Sequence, residues 1–135
     1  NKMYIKYKEI KSNDVSIDVR TPEEFNKMPL FEYNVPIINK EQHDYLKSHI
    51  YLALPIVVKG FFENRIAIKE RLLSLSEDKS KRLIISCSQG RVRSPIIYFY
   101  AKSLGLKAKI LKGGIKPHFG FKQKNLKNLY GFLEI

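Results

Sequence analysis

The chain is poor in cysteine, in acid and in long apolar runs, and each shortage removes a class of protein. Among 135 residues there is one cysteine, Cys87, so no framework of internal disulfides can hold the fold. A lone thiol with chemistry to perform suits a reducing compartment, and a cytoplasmic location is expected. The longest apolar stretch, Ile50 to Val58, is too short to cross a bilayer, and NKMYIKYKEI does not read as a signal peptide. A soluble protein is therefore expected. There is no Gly-x-x-x-x-Gly-Lys-Ser/Thr run to cradle nucleotide phosphates, and no Gly-x-Ser-x-Gly elbow to present a nucleophilic serine. His43, His49 and His118 share no metal-ligand spacing with Cys87 or with one another, so each is read as a surface or structural residue and no metal is expected. Neither an internal repeat nor a low-complexity linker divides the chain, and a hydrophobic fraction of 44% is enough for one domain with its own core.

Acidic residues are the other shortage. Thirteen Asp and Glu against 25 Lys and Arg leave a net charge of +12, which attracts polyanions, with nucleic acid the commonest of them in the cytoplasm. Lysine dominates the excess and is spread along the chain, somewhat denser between Lys107 and Lys127. Such a pattern also fits a merely solvated surface.

What is present is concentrated in LIISCSQGRVRSP, Leu83 to Pro95. Leu83 to Cys87 is a short apolar run of the kind a buried parallel strand requires. Ser88, Gln89, Gly90, Arg91 and Val92 then form a tight loop, in which Gly90 can take backbone angles closed to other residues. Ser94 suits a helix N-cap and Pro95 the first helical position, so the loop is expected to run straight into a helix. Inward-turned loop N–H groups, a helix N-terminus and the charges of Arg91 and Arg93 together make an anion cradle. Positive surroundings of this kind favour the anionic, nucleophilic form of a cysteine, and Cys87 is the expected nucleophile.

The rest of the chain is expected to alternate strands with helices. Met3 to Ile10 reads as a first, edge strand and Val15 to Val19 as a second. Thr21, Pro22 and Glu24 spell a capped helix start, with Glu24 closing a capping box on Thr21. Glu23 and Glu24 are accordingly helix-start residues, while Asp18 and Arg20 are expected to hydrogen-bond and orient neighbouring loops. Tyr33 to Ile38 is a short strand limited by Pro36, and Asn39 with Gln42 opens a helix predicted to run from Lys40 to Leu54 until Pro55 interrupts it. A second helix follows from Val57 to Ser76, its core face carried by Phe61, Phe62, Ile66, Ile68, Leu72 and Leu75. Ile96, Ile97, Phe99, Tyr100 and Leu104 pattern another helix ending at Gly105, and Ala108 to Leu111 a last strand ending at Gly113-Gly114. The expected fold is α/β, a mostly parallel central sheet with helices on both faces, and its ligands bind beyond the carboxyl ends of the strands.

Three segments carry a resemblance. Asp18-Val19-Arg20-Thr21-Pro22-Glu23-Glu24-Phe25, the Cys87 loop and Leu111-Lys112-Gly113-Gly114 resemble, in order and spacing, the rhodanese domain. The resemblance implies a three-layer rhodanese-like fold and sulfur or selenium carried on Cys87 as a persulfide or perselenide. The longer loop pattern, Cys-x-x-Gly-x-x-Arg-Ser, is similar to the rhodanese domain of tRNA 2-selenouridine synthases, as are Asn34-Val35-Pro36-Ile37-Ile38, the helical insert through Leu75 and Gly113-Gly114-Ile115-Lys116. Between the loop Cys and Arg those enzymes carry Trp-Arg-Gly-Gly-Met, where this chain has Ser88-Gln89-Gly90-Arg91-Val92.

That second resemblance implies selenophosphate as donor and tRNA as acceptor, the sulfur of wobble 2-thiouridine being replaced by selenium. The donor would be held by Ser88, Gln89, Gly90, Arg91, Val92, Arg93 and Ser94. No cofactor is implied in this domain. The family's second half, a phosphate-binding-loop domain that takes ATP or GTP, is not among these residues, so an amino-terminal portion or one half of a split enzyme is implied. Two other classes fit the loop. Cys-x(5)-Arg also serves phosphatases and arsenate reductases on this fold, although Ser86 stands where the phosphatases carry His, and a non-catalytic tRNA-docking module needs only the cradle.

Overall fold

The computed structural model describes residues 3–88 and 92–119. Five short strands, β1 (Tyr4–Ile5), β2 (Val15–Asp18), β3 (Tyr33–Asn34), β4 (Leu83–Ser86) and β5 (Ala108–Leu111), form one sheet in the order β1-β5-β4-β2-β3. Every neighbouring pair is parallel. The helices are α1 (Pro22–Lys27), α2 (Lys40–Ser48), α3 (Ala53–Leu75) and α4 (Arg93–Ser103). None of the described helices is long and apolar enough to cross a membrane.

All four residues of β4 are buried, as expected of the middle strand of a parallel sheet covered on both faces. Alternation along the strand divides the core. Leu83 and Ile85 join the larger cluster, with Val57, Ile68 and Leu72 of α3 and Ile97 and Ala101 of α4. Ile84 points the other way, into a smaller cluster with Ile5, Phe31, Leu111 and Ile115. The two clusters clamp the sheet, so the carboxyl end of β4 is a rigid platform.

Several boundaries depart from the sequence expectations. The first strand stops at Ile5 because the Glu9 carboxylate reaches back to accept the Lys6 N–H at 2.9 Å, which tightens Tyr7–Glu9 into a 3-10 turn. It does lie at the sheet edge. The first long helix ends at Ser48 rather than at Pro55, and a 3-10 turn, Ile50–Leu52, separates α2 from α3. Pro55 sits in the first turn of α3, where a backbone N–H has no partner within the helix and its absence costs nothing.

The buried stripe of α3 runs through Val57, Gly60, Ile68 and Leu72, and Phe62 and Ile66 are exposed at 56% and 68% instead of forming core. At about 100° per residue Ile66 falls roughly opposite Val57 on the helix, so its apolar side chain has nothing to pack against. Phe99 of α4 is likewise exposed, while Phe61 and Tyr100 meet edge to face across the α3–α4 contact at 4.9 Å.

Gly60 lies where α3 packs closely on the segment after β3. A Cβ there would lie 2.6 Å from the Ile38 Cγ2 and 3.1 Å from the Ile37 carbonyl oxygen. Gly60→Ala is therefore expected to lower stability by about 1–3 kcal/mol through overpacking, against roughly 1 kcal/mol gained in helix propensity. Thermal unfolding checks the sign; a more stable variant would show that the contact can relax.

Candidate active site

Strand β2 ends in a buried ion pair. The Arg20 Nε donates to both Asp18 oxygens at 3.0 Å and its Nη2 to Asp18 Oδ2 at 2.7 Å and to the Met28 carbonyl at 2.8 Å. Asn34 Nδ2 adds bonds to the Asp18 and Arg20 carbonyls at 2.9 and 2.8 Å. These bonds join both ends of α1 to the carboxyl ends of β2 and β3, the orienting role that the sequence predicts for Asp18 and Arg20.

The capping box at the start of α1 is formed as expected. The Glu24 N–H donates to Thr21 Oγ1 at 3.3 Å and the Thr21 N–H to Glu24 Oε1 at 3.0 Å. Capping leaves most of the Glu24 carboxylate unused, and α4 takes up the remainder. Arg93 Nη1 donates to Glu24 Oε1 at 2.7 Å and Nη2 to Oε2 at 3.3 Å, a bidentate pair in which Arg93 has no exposed surface. Ser88 joins them, its hydroxyl donating to Glu24 Oε2 at 3.3 Å and receiving Arg93 Nη2 at 3.3 Å. From α2, His43 Nε2 lies 3.5 Å from the same Oε2.

The electrostatics follow from this packing. Burial alone would raise the Glu24 carboxyl, but the charge and hydrogen bonds of Arg93, helped by His43 and the Thr21 N–H, hold it well below the usual carboxylate range. Burial alone would likewise disfavour the Arg93 cation. Glu24 outweighs it, with smaller contributions from Cys87 and Asp18, and Arg93 is held charged more firmly than an ordinary arginine.

Cys87 follows β4 directly and is wholly buried, at the carboxyl end of the sheet where the sequence places it. Its carbonyl accepts the Ile115 N–H at 3.0 Å, and this bond ties the Gly113-Gly114 turn, both glycines at positive φ, beneath the site. Ser88, Arg93 and Glu24 are joined by the bonds above. Val92 and Ser94 flank Arg93 at the start of α4, and the expected residues Gln89, Gly90 and Arg91 lie outside the described residues.

One local expectation fails. Helix α4 opens at Arg93 with Val92 as its N-cap, so Ser94 and Pro95 are the second and third helical residues rather than the cap and first. The Arg93–Glu24 pair draws Arg93 inward and the helix begins with it, a tertiary contact overriding a local preference. Pro95 stays within the first turn and gives up no helical bond. Ser94 pays instead, because its hydroxyl is fully buried and finds no hydrogen-bond partner among the described residues.

Sequence reasoning missed Glu24 as the counter-ion of the loop arginine and His43 as its neighbour. Glu24 already has a complete local explanation in the capping box, and nothing across the separation of 69 positions links it to Arg93. His43 has no metal-ligand spacing, and a histidine packed against a carboxylate leaves no other pattern in the sequence.

A parallel α/β sheet with a buried cysteine at the carboxyl end of its central strand, beside an arginine locked at a helix N-terminus, defines a loop-cysteine domain. Comparison with protein families makes that class specific: the model of the Rhodanese-like domain matches residues 5–117, and the chain belongs to that family, with a fold of the sulfurtransferase type. A search of curated proteins finds no match. Among solved structures, the N-terminal domain of a Clostridium difficile 630 protein provisionally described as ATP/GTP binding is similar, at 25% identity and a TM-score of 0.66, covering 93% of this chain and 98% of that one. A Bacillus halodurans protein is matched at 18% identity and a TM-score of 0.42, over 84% of this chain and 61% of the other.

Proposed function

We propose that this domain carries selenium, or sulfur in its place, on Cys87 for the replacement of sulfur in wobble 2-thiouridine of tRNA, as part of an enzyme similar to tRNA 2-selenouridine synthase. The observation that carries the reading is the joining of Ser88 and Arg93, at the two ends of the cysteine loop, through the partly buried Glu24 carboxylate. That clamp ties Ser88 to the start of α4, and the pairing with Glu24 keeps the Arg93 guanidinium charged. The Cys-x-x-Gly-x-x-Arg-Ser pattern supports selenophosphate as the donor, and similarity to a domain whose parent protein is described as ATP/GTP binding is consistent with a nucleotide-binding partner domain.

With thiosulfate as a sulfur donor, loading is a single displacement. The Cys87 thiolate attacks the outer sulfur, a new S–S bond forms, the bond to the sulfite sulfur breaks, and sulfite leaves with the electron pair. Ser88, the N–H groups of Gln89, Gly90 and Arg91, and the Arg91 and Arg93 cations hold the oxyanion end, with Val92 and Ser94 completing the loop. No cofactor is required of this domain.

Nucleoside analysis tests the substrate. Supplied with the phosphate-binding-loop domain, selenophosphate and a tRNA carrying 2-thiouridine, the domain should yield 2-selenouridine at the wobble position. Hydrolysis of an aryl phosphate in place of that product would favour the phosphatase reading, which the six-residue separation of Cys87 and Arg93 also allows.

Ser94 offers a narrower check. A buried orphan hydroxyl costs about 1–3 kcal/mol, so Ser94→Ala should leave the melting temperature unchanged or raise it. If the hydroxyl serves the bound anion or the sulfur, the same variant loads Cys87 more slowly; loading at the normal rate would assign it no part.

A further inference from the structure

A second concave surface lies along the other edge of the sheet. It is a trough of about 650 Å³ over β1 and β5, lined by Lys6, Lys11, Arg82, Lys109 and Lys112, with Glu9 as its only acidic residue among the described ones. Glu9 is already engaged with the Lys6 N–H at 2.9 Å, and Arg82 is fixed by Asp14 at 2.7 Å. The cations come from four separate segments: the end of β1, the turn before β2, the start of β4 and strand β5 with its exit. A sequence-local run of lysines does not explain their meeting.

One end of the trough reaches the end of the sheet at which the cysteine lies. Lys6 and Lys112 stand just past the carboxyl ends of β1 and β5, the end of the sheet at which Cys87 follows β4. The Lys112 N–H donates to the Ile5 carbonyl at 2.8 Å, and three residues later the Ile115 N–H donates to the Cys87 carbonyl at 3.0 Å. Three residues span at most roughly 11 Å, so one end of the trough lies within a short step of the cysteine backbone. Lys109 pairs in register with Ile84, which places the trough on the sheet face opposite the large helical core.

We infer that this trough binds the phosphodiester backbone of the RNA substrate and leads the strand toward the Cys87 loop. The inference rests on the proposed function for its choice of RNA, and it adds the surface that holds it. A volume within the usual range of ligand sites, lined by cations with little acid, suits a phosphate backbone.

Titrating a fluorescent tRNA transcript with the domain over a series of salt concentrations tests this directly. Lys6→Gln/Lys112→Gln should weaken binding about tenfold at low salt and make the log–log salt dependence shallower by roughly 1.5, the loss of two phosphate contacts. Lys69→Gln/Lys102→Gln, which removes two exposed lysines from α3 and α4, should change neither quantity. Equal losses in both pairs, no loss in the first, or no RNA binding by the unaltered domain would overturn the inference and leave the lysines to keep an edge strand from pairing. Thiosulfate loading of Cys87 should be the same in all three proteins, so failure of the trough is distinguishable from failure of the cysteine chemistry.

Discussion

Replacing Glu24 by alanine is expected to destabilise the domain by about 3–5 kcal/mol, because it strands the buried Arg93 cation without its counter-charge. Thermal unfolding should register this as a fall of roughly 10 °C or more in melting temperature. The capping box accounts for only about 1 kcal/mol of that loss. Glu24→Gln separates the two roles, since glutamine can still cap Thr21 but cannot neutralise Arg93. Most of the loss should therefore persist in Glu24→Gln. A glutamine variant as stable as the unaltered domain would mean that the pair contributes hydrogen bonds and little charge.

The same pair makes stability depend on pH. The Glu24 carboxyl is held below its unfolded value, so its contribution is complete above the ordinary carboxylate range. It is lost progressively as the pH falls through and below that range, where the unfolded chain takes up the proton more readily than the folded one. Unfolding measured from neutral to acid pH should show a steeper decline for the unaltered domain than for Glu24→Gln.

Cys87→Ser is expected to abolish chalcogen transfer, reducing 2-selenouridine formation in the reconstituted reaction at least roughly a thousandfold, the equivalent of about 4 kcal/mol in barrier. A serine hydroxyl is not ionised at neutral pH and forms no stable bond equivalent to a persulfide. Because Cys87 belongs to the core, the control matters: serine buries a hydroxyl, whereas alanine leaves a small void. These perturb the fold in different ways, so a matching loss of transfer in both variants assigns the effect to the sulfur. Modification retained in Cys87→Ala would instead describe a docking module whose cysteine is only packing.

The parts of the site that could be read from sequence are those governed by local rules. A continuous apolar run ending in cysteine identified β4, Thr21 and Glu24 identified the start of α1, and Ala108–Leu111 is a strand with the bounds expected of it. Parallel strands flanked by helices then placed Cys87 at the carboxyl end of the sheet. What escaped was set by contacts between distant segments. The Glu24–Arg93 pair decides where α4 begins, and no local signal competes with Ser94-Pro95 as a helix start. The chain also has more apolar side chains than its core can take, so Phe62, Ile66 and Phe99 satisfy a helical pattern yet face outward.

The most direct measurement is the mass of the Cys87 peptide after the folded domain has been incubated with thiosulfate. One added sulfur on that cysteine is expected, removed by dithiothreitol and absent from Cys87→Ser. A thiol that remains unmodified would contradict the proposed chemistry.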